Sequence, residues 1–181
     1  MMIYLLLGTG FEVTEAMVPL VMMRRAGIDV CTVGINGKTV VGSRDIPIVA
    51  DMTIDEMDLT SLEGIVLPGG LGGVASIKAS FPALDAIRFA WENGKLVAAI
   101  CAAPTVLAML HITDGKKATC YPGCEAQMGD AVMVPDAAAV VDGTVITGTS
   151  AGCAVPFALK LITALRGEKA AEDVTRQVVI R

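Results

Sequence analysis

Short apolar runs alternate with stretches of helical spacing along the first half of the chain. Uninterrupted apolar runs that end in glycine, proline or small residues are typical of strands buried on both faces. Four such runs are Met2–Leu7, Ile28–Val33, Gly64–Leu67 and Leu96–Ile100. The stretches between them predict helices at Val13–Arg25, Val74–Ser80 and Pro82–Trp91. This alternation predicts one α/β domain over residues 1–181, with a mainly parallel sheet and helices on both faces.

The second half of the chain carries weaker signals, which predict four short strands and two helices. The strands are Lys117–Thr119, Ala131–Val134, Ala138–Val141 and Thr144–Thr147, and the helices are Ala151–Leu165 and Glu168–Thr175. Three features modify the first half. Pro19 predicts a late or irregular start of the first helix, Asn36-Gly37 predicts a hairpin, and Ser43-Arg44-Asp45 predicts a loop or short strand.

Composition excludes several classes of protein. No apolar run reaches the roughly 18 residues of a membrane span, and the first residues carry no basic segment typical of a secretory signal. The net charge of −5 disfavours a nucleic-acid partner. Five scattered cysteines, an odd number, do not form a disulfide framework. We therefore expect a cytoplasmic protein.

Cys101 stands where an apolar run meets a helix start. The run Leu96–Ile100 leads into Cys101, and Pro104 suits the first turn of a helix. Such a strand-to-helix turn lifts a side chain above the carboxyl edge of a sheet, as in the nucleophile elbow of hydrolases. An inert core cysteine is the alternative interpretation, and the turn makes the two about equally favoured.

Ligands of open parallel sheets bind beyond the carboxyl ends of the strands. If the first, third and fourth strands are neighbours, their loops bring Glu15, the Gly69-Gly70 amides and Cys101 around one pocket. Glu12 and Glu15 could both be ordinary first-turn acids, which is our interpretation for Glu12. The two glycines could simply form a tight turn.

The other candidate groups favour no metal site and no Cys–His dyad. His111 is the only histidine, and it follows the helix after Cys101 by two to three turns. Cys120 and Cys124 lack a second pair of ligands nearby, so a zinc site is not expected.

Together these residues resemble the ThiJ/PfpI superfamily, in the branch of the Parkinson-associated protein DJ-one and its bacterial relatives. The resemblance runs essentially from end to end. It is carried by separate motifs in the right order and spacing, among them Glu12–Glu15, Met23–Ile28, Ser43–Asp45, Val66–Gly70, Ala98–Pro104 and Thr147–Ala158.

The resemblance implies a flavodoxin-like three-layer sandwich, similar to class I glutamine amidotransferases, and a homodimer. It places the reactive cysteine at Cys101, its hydrogen-bonded glutamate at Glu15 and the oxyanion-stabilising amides at Gly70 and Ala102. The substrate pocket would include Gly69, Tyr121, Arg25 and Arg44. Many relatives carry a histidine where this chain has Tyr121, and tyrosine, with a pKa near ~10, is a poor general base.

Three functions follow from the resemblance. The first is glutathione-independent breakdown of 2-oxoaldehydes by a glyoxalase III-type lyase, or repair of early glycation adducts, with a Cys101 thiolate, a protonated Glu15 and no cofactor. The second is a redox sensor or redox-regulated chaperone for client proteins, through oxidation of Cys101. The third is a thiazole-pathway, amidase or protease-like enzyme. Cys120 is a possible resolving thiol.

Overall fold

Short strands and helices alternate along the chain. The structure is a computed structural model that describes residues 1–180. The strands are β1 (Met2–Leu7), β2 (Val30–Gly34), β3 (Thr39–Val41), β4 (Pro47–Val49), β5 (Met52–Thr53), β6 (Leu62–Leu67), β7 (Leu96–Ile100), β8 (Lys117–Ala118), β9 (Val132–Met133), β10 (Ala139–Asp142) and β11 (Val145–Gly148). The helices are α1 (Val13–Arg25), α2 (Leu71–Ala79), α3 (Phe81–Glu92), α4 (Pro104–Met109), α5 (Ala154–Arg166) and α6 (Glu168–Gln177).

One large sheet organises the described part of the chain. Its order is β10-β11-β7-β6-β1-β2-β5, and every neighbouring pair is parallel except β10 with β11. The predicted α/β class with a mainly parallel sheet is confirmed. The order also confirms that β1, β6 and β7 are neighbours, so their carboxyl ends meet at one edge of the sheet.

Alternation along the strands sorts the core into two layers. Ile3, Leu5 and Leu7 of β1 belong to the apolar cluster that contains the buried residues of α1, α5 and α6. Tyr4 and Leu6 point the other way, into the cluster formed with α2, α3 and α4. Successive side chains of a strand face opposite sides of a sheet, so both faces are covered by helices. The result is the expected three-layer sandwich.

Pro19 does not delay or break α1, so that part of the prediction was wrong. The helix runs without interruption from Val13 to Arg25 with Pro19 buried inside it. Proline cannot donate the helical hydrogen bond to the residue four positions earlier. Burial of Ala16, Leu20 and Met23 against the sheet and α5 offsets that loss.

The Asn36-Gly37 pair does not form the predicted hairpin turn. The antiparallel pair in this region is β3 with β4, joined through the 3-10 turn Ser43–Asp45. Asn36 instead accepts hydrogen bonds from the Thr9 N–H and hydroxyl through its side-chain oxygen. The bend is therefore used to tie the end of β2 to the loop after β1.

Helix boundaries agree with the predictions to within a few residues. α2 begins at Leu71, three residues earlier than predicted, and a 3-10 turn at Ala151–Cys153 precedes α5. The longest helices, α1 and α5, have 13 residues each. Within residues 1–180, no helix has the length and apolar character that crossing a bilayer requires.

Candidate active site

Cys101 occupies a strained turn between β7 and α4. Its backbone has a φ of 67°, in the left-handed region that non-glycine residues seldom adopt. Two hydrogen bonds hold the turn. The Cys101 N–H donates to the Gly148 carbonyl at 2.9 Å, and the Cys101 carbonyl accepts from the Tyr121 N–H at 2.7 Å. The residue as a whole is half-buried. The structure thus has the expected strand-to-helix elbow, with Pro104 opening α4.

Glu15 reaches the same sulfur from the first turn of α1. Its side chain is 1% exposed, one of the few buried polar groups of the core. The carboxylate accepts a hydrogen bond from the Gly69 N–H at 2.8 Å and is hydrogen-bonded to Cys101. Glu12 differs, because its carboxylate caps α1 by accepting from the Thr14 N–H. Of the two acids, Glu15 is therefore the one at the sulfur.

The loop after β6 passes directly beneath the pair. A Cβ atom on Gly69 would lie 2.6 Å from both the Glu15 Oε2 and the Cys101 Cβ, so only glycine fits there. Gly70 follows with a φ of 85°. The N–H groups of Gly70 and Ala102 hydrogen-bond to the Cys101 sulfur. These amides were the expected oxyanion donors, and they converge on the reactive atom.

Burial controls the proton affinity of Glu15. Removal from water raises the pKa of its carboxyl to about 7, whereas its hydrogen bonds to Cys101 and the Gly69 N–H act in the opposite direction. The nearby Glu12 carboxylate raises it further. Glu15 can therefore hold or release a proton near neutral pH, which is the property a general acid and base needs.

The raised pKa of Cys101 departs from the expectation of a thiolate stabilised by a protonated Glu15. Burial raises the pKa of the Cys101 thiol, and an ionised, hydrogen-bonded Glu15 raises it further, to about 12, against the lowering effect of the Ala102 and Gly70 N–H groups. The thiol keeps its proton whenever Glu15 is ionised. Above about pH 7 the two groups therefore hold one proton between them, and it resides on the sulfur. A thiolate there requires that this proton move to Glu15.

The geometry brings together a cysteine sulfur, a buried carboxyl group and two N–H donors. Such a set can add sulfur to an electrophilic carbon and stabilise the charge on the attached oxygen. Within residues 1–180, no group of three histidine, cysteine, aspartate or glutamate side chains lies close enough together to hold a metal ion.

The chain is similar to known proteins over most of its length. Residues 1–164 match the DJ-1/PfpI family. The chain belongs to the DJ-1/PfpI family. It is 37% identical over 177 residues to Protein dj-1beta of Drosophila melanogaster, and the matched region covers 97% of this chain and 95% of that protein. The crystal structure of Drosophila melanogaster DJ-1beta superimposes with a TM-score of 0.94 at 36% identity, over 99% of this chain and 98% of that one.

Two further relatives extend the comparison. The chain is 34% identical over 181 residues to the Parkinson disease protein 7 homolog of Danio rerio, covering 97% of this chain and 95% of that protein. A structure described as Toxoplasma gondii DJ-1, oxidized, has a TM-score of 0.93 at 27% identity and covers 98% of this chain and 97% of that one. Membership of the DJ-1/PfpI family supports a stress-response protein, in a superfamily of which some members are enzymes.

The two arginines of the expected pocket lie in different places. Glu15 lies in the first turn of α1 and Arg25 is its last residue, so the two are about 15 Å apart along the helix axis. Arg25 is therefore remote from the Cys101 sulfur of the same chain. Arg44 is exposed on the turn after β3. The neighbouring Ser43 hydroxyl accepts from the Val13 N–H, so Arg44 lies near the start of α1. The structure brings only Arg44 toward the site.

The positions of Tyr121 and His111 decide whether a histidine could act as a base for Cys101. Tyr121 contacts Cys101 through its backbone N–H, and the residue is 48% exposed. His111 lies beyond α4 with its ring exposed and paired with Asp114 at 2.9 Å. The single histidine of the chain is therefore not a base for Cys101.

Cys120 is next to Tyr121, yet its side chain packs away from Cys101. It belongs to the core cluster of α2, α3 and α4, whereas Cys101 packs against the opposite cluster. Burial raises the pKa of Cys120 to about 11, helped by the charges of Glu125 and Cys124. This placement does not favour Cys120 as the resolving thiol of Cys101.

Gly148 was missed by the sequence reasoning. Its carbonyl accepts the Cys101 N–H and so helps to fix the strained turn. The signal was available, because β11 pairs in parallel with β7 and places Gly148 beside Ile100. Recognition of the pair required the strand order, which the weak pattern of the second half did not supply.

Proposed function

We propose that the protein converts small 2-oxoaldehydes into 2-hydroxy acids without glutathione, with Cys101 as nucleophile and Glu15 as proton carrier. The observation that carries this proposal is the buried Glu15 carboxyl, with a pKa raised to about 7, hydrogen-bonded to the sulfur it must serve. Proton transfer is most effective when the pKa of the carrier is near the working pH.

The chemistry needs no oxidant and no external thiol. The Cys101 sulfur forms a bond to the aldehyde carbon, and its proton passes by way of Glu15 to the aldehyde oxygen, giving a hemithioacetal. The Gly70 and Ala102 N–H groups stabilise the oxygen while it is charged. Glu15 then removes the hydrogen of that carbon as a proton and returns it to the neighbouring carbon, while the hydroxyl proton passes to the former ketone oxygen, which becomes the 2-hydroxy group. Water hydrolyses the resulting thioester and releases the 2-hydroxy acid and the thiol.

Turnover of methylglyoxal to lactate tests the proposal. We expect the wild-type protein to consume methylglyoxal, and Cys101→Ser and Glu15→Gln to lose at least about a hundredfold in kcat/KM, because each removes a reacting group. Cys153→Ser, which changes a half-buried cysteine hydrogen-bonded to Ser150, is the matched control and should retain activity. Equal turnover by wild type and Cys101→Ser would refute the mechanism.

A second candidate is a redox sensor. The half-buried sulfur is open to peroxide, and the Gly70 and Ala102 N–H groups with a protonated Glu15 would stabilise a negatively charged sulfinate. One hydrogen peroxide oxidises the thiol to sulfenic acid with release of water, and a second gives sulfinic acid. A relative described as oxidized supports this reading. Stoichiometric sulfinate at Cys101 by mass spectrometry, together with negligible methylglyoxal turnover, would favour this function.

The remaining functions are ranked lower. Repair of glycation adducts would use the same sulfur and carboxyl, and release of free amine from a pre-formed methylglyoxal adduct would separate it from plain glyoxalase activity. A protease, amidase or thiazole-pathway role lacks a supporting feature, since His111 does not face Cys101.

The assembly we propose is a cytoplasmic homodimer, which follows from the family resemblance. The supporting surface is an apolar depression of about 440 Å³ on α1, α5 and the last described residues, lined by Met17, Val18, Val21, Met22, Val155, Val178 and Ile180. A second copy would cover this surface. Client proteins of a redox-regulated chaperone would have to bind a surface other than the one covered by the second copy.

A further inference from the structure

A second cavity opens beside the proposed catalytic amides. It has a volume of about 190 Å³ and lies between α2 and α4, lined by Leu71, Val74, Ala75, Lys78, Ala102, Thr105, Cys124 and Gln127. At roughly 30 Å³ per water molecule, it has room for about six waters. The cavity is therefore large enough for the non-reacting part of a small substrate.

Two residues connect this cavity to the reactive sulfur. Ala102 lines the cavity, and its N–H hydrogen-bonds to the Cys101 sulfur. Leu71 lines the cavity directly after Gly70, the other amide on that sulfur. The cavity therefore begins within one residue of each of these amides.

The near part of the cavity is apolar. Leu71 is 81% exposed at the opening, an unusual position for a leucine, and Val74 and Ala102 are buried behind it. The Thr105 hydroxyl offers no free donor to a ligand there, because it donates to the Ala102 carbonyl at 2.7 Å. An aromatic or aliphatic segment suits these walls.

The far part of the cavity carries a cation. Lys78 lies two turns along α2 from Leu71 and is half-buried, and within residues 1–180 it takes part in none of the ion pairs. Glu125 is the acid that follows the lining residue Cys124 in the sequence. Its carboxylate accepts a hydrogen bond from the Gly123 N–H at 2.7 Å. The amide of Gln127 and the thiol of Cys124 complete this end.

We propose that this cavity is the subsite for the distal end of the substrate, and that Lys78 selects aldehydes that carry a carboxylate there. The proposal rests on the function proposed above for Cys101. Helix side chains lean toward the helix N-terminus, which brings the Lys78 ammonium back over the cavity. A carboxylate several bonds from the aldehyde would form a charge-assisted hydrogen bond to that ammonium. Lys78 is thus a specificity residue and takes no part in the chemistry.

The first test compares a charged and an uncharged substrate. We expect Lys78→Met to reduce kcat/KM about tenfold for 4-carboxyphenylglyoxal and less than about twofold for phenylglyoxal. Lys78→Arg should restore the preference, since it keeps the charge. The control is Lys95→Met, which alters a half-buried lysine at the amino end of β7, on the opposite edge of the sheet. Equal losses for both substrates in Lys78→Met would overturn the proposal and leave Lys78 a structural residue at the end of α2.

A second test does not require catalysis. Alkylation of Cys101 by 4-(bromomethyl)benzoate and by its uncharged amide can be followed by mass spectrometry. We expect the benzoate to react faster than the amide in the wild type, and this advantage to fall about tenfold in Lys78→Met. If neither glyoxal is turned over and the alkylation preference still depends on Lys78, the subsite stands and the proposed reaction fails. If the glyoxals are turned over without dependence on Lys78 in either test, the reaction stands and the subsite is wrong.

Discussion

Glu15 and Cys101 cannot be understood as separate groups. Glu15 is almost completely buried and has a pKa raised to about 7, while the pKa of Cys101 rises to about 12 when Glu15 is charged. Two neighbouring groups that repel each other's negative charge lose their protons in separate steps. Above about pH 7 the pair carries one proton, which burial and the Glu15 charge keep on the sulfur, while the N–H groups of Gly70 and Ala102 act in the opposite direction. The reactivity of the cysteine is therefore a property of four residues.

Removal of the carboxylate should make the sulfur more reactive toward simple alkylating agents. Glu15→Gln abolishes the charge that raises the pKa of Cys101, so we expect that pKa to fall by about one unit or more and iodoacetamide to react about tenfold faster at pH 8. In the wild type the rate should keep rising with pH well above pH 9, because the raised pKa delays ionisation. The same variant should be poor in methylglyoxal turnover, since it cannot carry a proton.

The measurement is the rate of Cys101 modification between pH 6 and pH 10, with Cys101→Ser to identify the labelled site. Slower modification of Glu15→Gln at every pH would contradict this prediction. It would show that the wild-type proton resides on Glu15 and that the sulfur is already ionised.

Sequence reasoning succeeded for the residues whose position follows from strand ends. Cys101, Glu15 and Gly70 meet because three buried strands are neighbours. Cys101 and Gly70 lie within three positions of a strand end, and Glu15 lies in the first turn of the helix that follows β1. It could not settle the charge of the sulfur, because the raised pKa depends on burial and on a distance between α1 and β7. It also could not place Arg25, which is separated from Glu15 by the whole length of α1.

At the level of elements, the loop between β6 and α2 is the part with least freedom. Its backbone passes beneath Glu15 and Cys101 and supplies two N–H groups, at Gly69 and Gly70. The Gly69 carbonyl also accepts the Glu12 N–H at 2.9 Å, which joins this loop to the start of α1. One short connection thus fixes the distance between the acid and the sulfur.

Gly69→Ala should move the Glu15 carboxyl and Cys101 apart. The new methyl group would lie 2.6 Å from both the Glu15 Oε2 and the Cys101 Cβ, closer than unbonded atoms approach, so one side must move. We expect at least a tenfold loss of methylglyoxal turnover and a fall of about 1–3 kcal/mol in the free energy of unfolding. Urea denaturation and steady-state kinetics measure the two effects.

Gly152→Ala is the matched control, because a Cβ at Gly152 meets nothing closer than the Ser150 hydroxyl oxygen at 3.9 Å. Wild-type activity in Gly69→Ala would show that the loop position does not govern the site.

The elements that sequence predicted well are those with one dominant signal. The apolar runs of β1 and β7 match the observed strands residue for residue. Pro19 and Asn36-Gly37 misled the prediction because each local preference was overruled by tertiary contacts. The sheet and α5 hold Pro19 inside a helix, and Thr9 binds the Asn36 side chain, which fixes that bend beside the first loop.

For the whole molecule, the two faces of the sheet serve different purposes. The face with α2 and α4 carries the cavity beside the proposed catalytic amides, and the face with α1 and α5 carries the larger apolar depression. Because these surfaces lie on opposite layers, a second copy covering α1 would leave the cavity between α2 and α4 open.

The proposed dimer can be tested on α1. Val21 is 49% exposed within the apolar depression, and a charge there would have to be buried without a partner. We expect the wild type to sediment at about twice the 18.7 kDa chain mass at micromolar concentration, and Val21→Asp to sediment as a monomer.

Val132→Asp changes a residue of similar exposure on β9, outside that depression, and should leave the assembly unchanged. A monomeric wild type in analytical ultracentrifugation would disprove the dimer, and a dimeric Val21→Asp would place its interface elsewhere.

The hydrogen bond from the Cys101 N–H to the Gly148 carbonyl has a consequence for synthesis of the protein. On the ribosome, Glu15 and Cys101 both emerge well before the strand that contains Gly148. Until that strand joins the sheet, the elbow has no acceptor for its amide and its left-handed backbone lacks support. The strand that contains Gly148 must therefore leave the ribosome before the thiol acquires its mature surroundings, and a product that terminates before that strand would lack this support for the elbow.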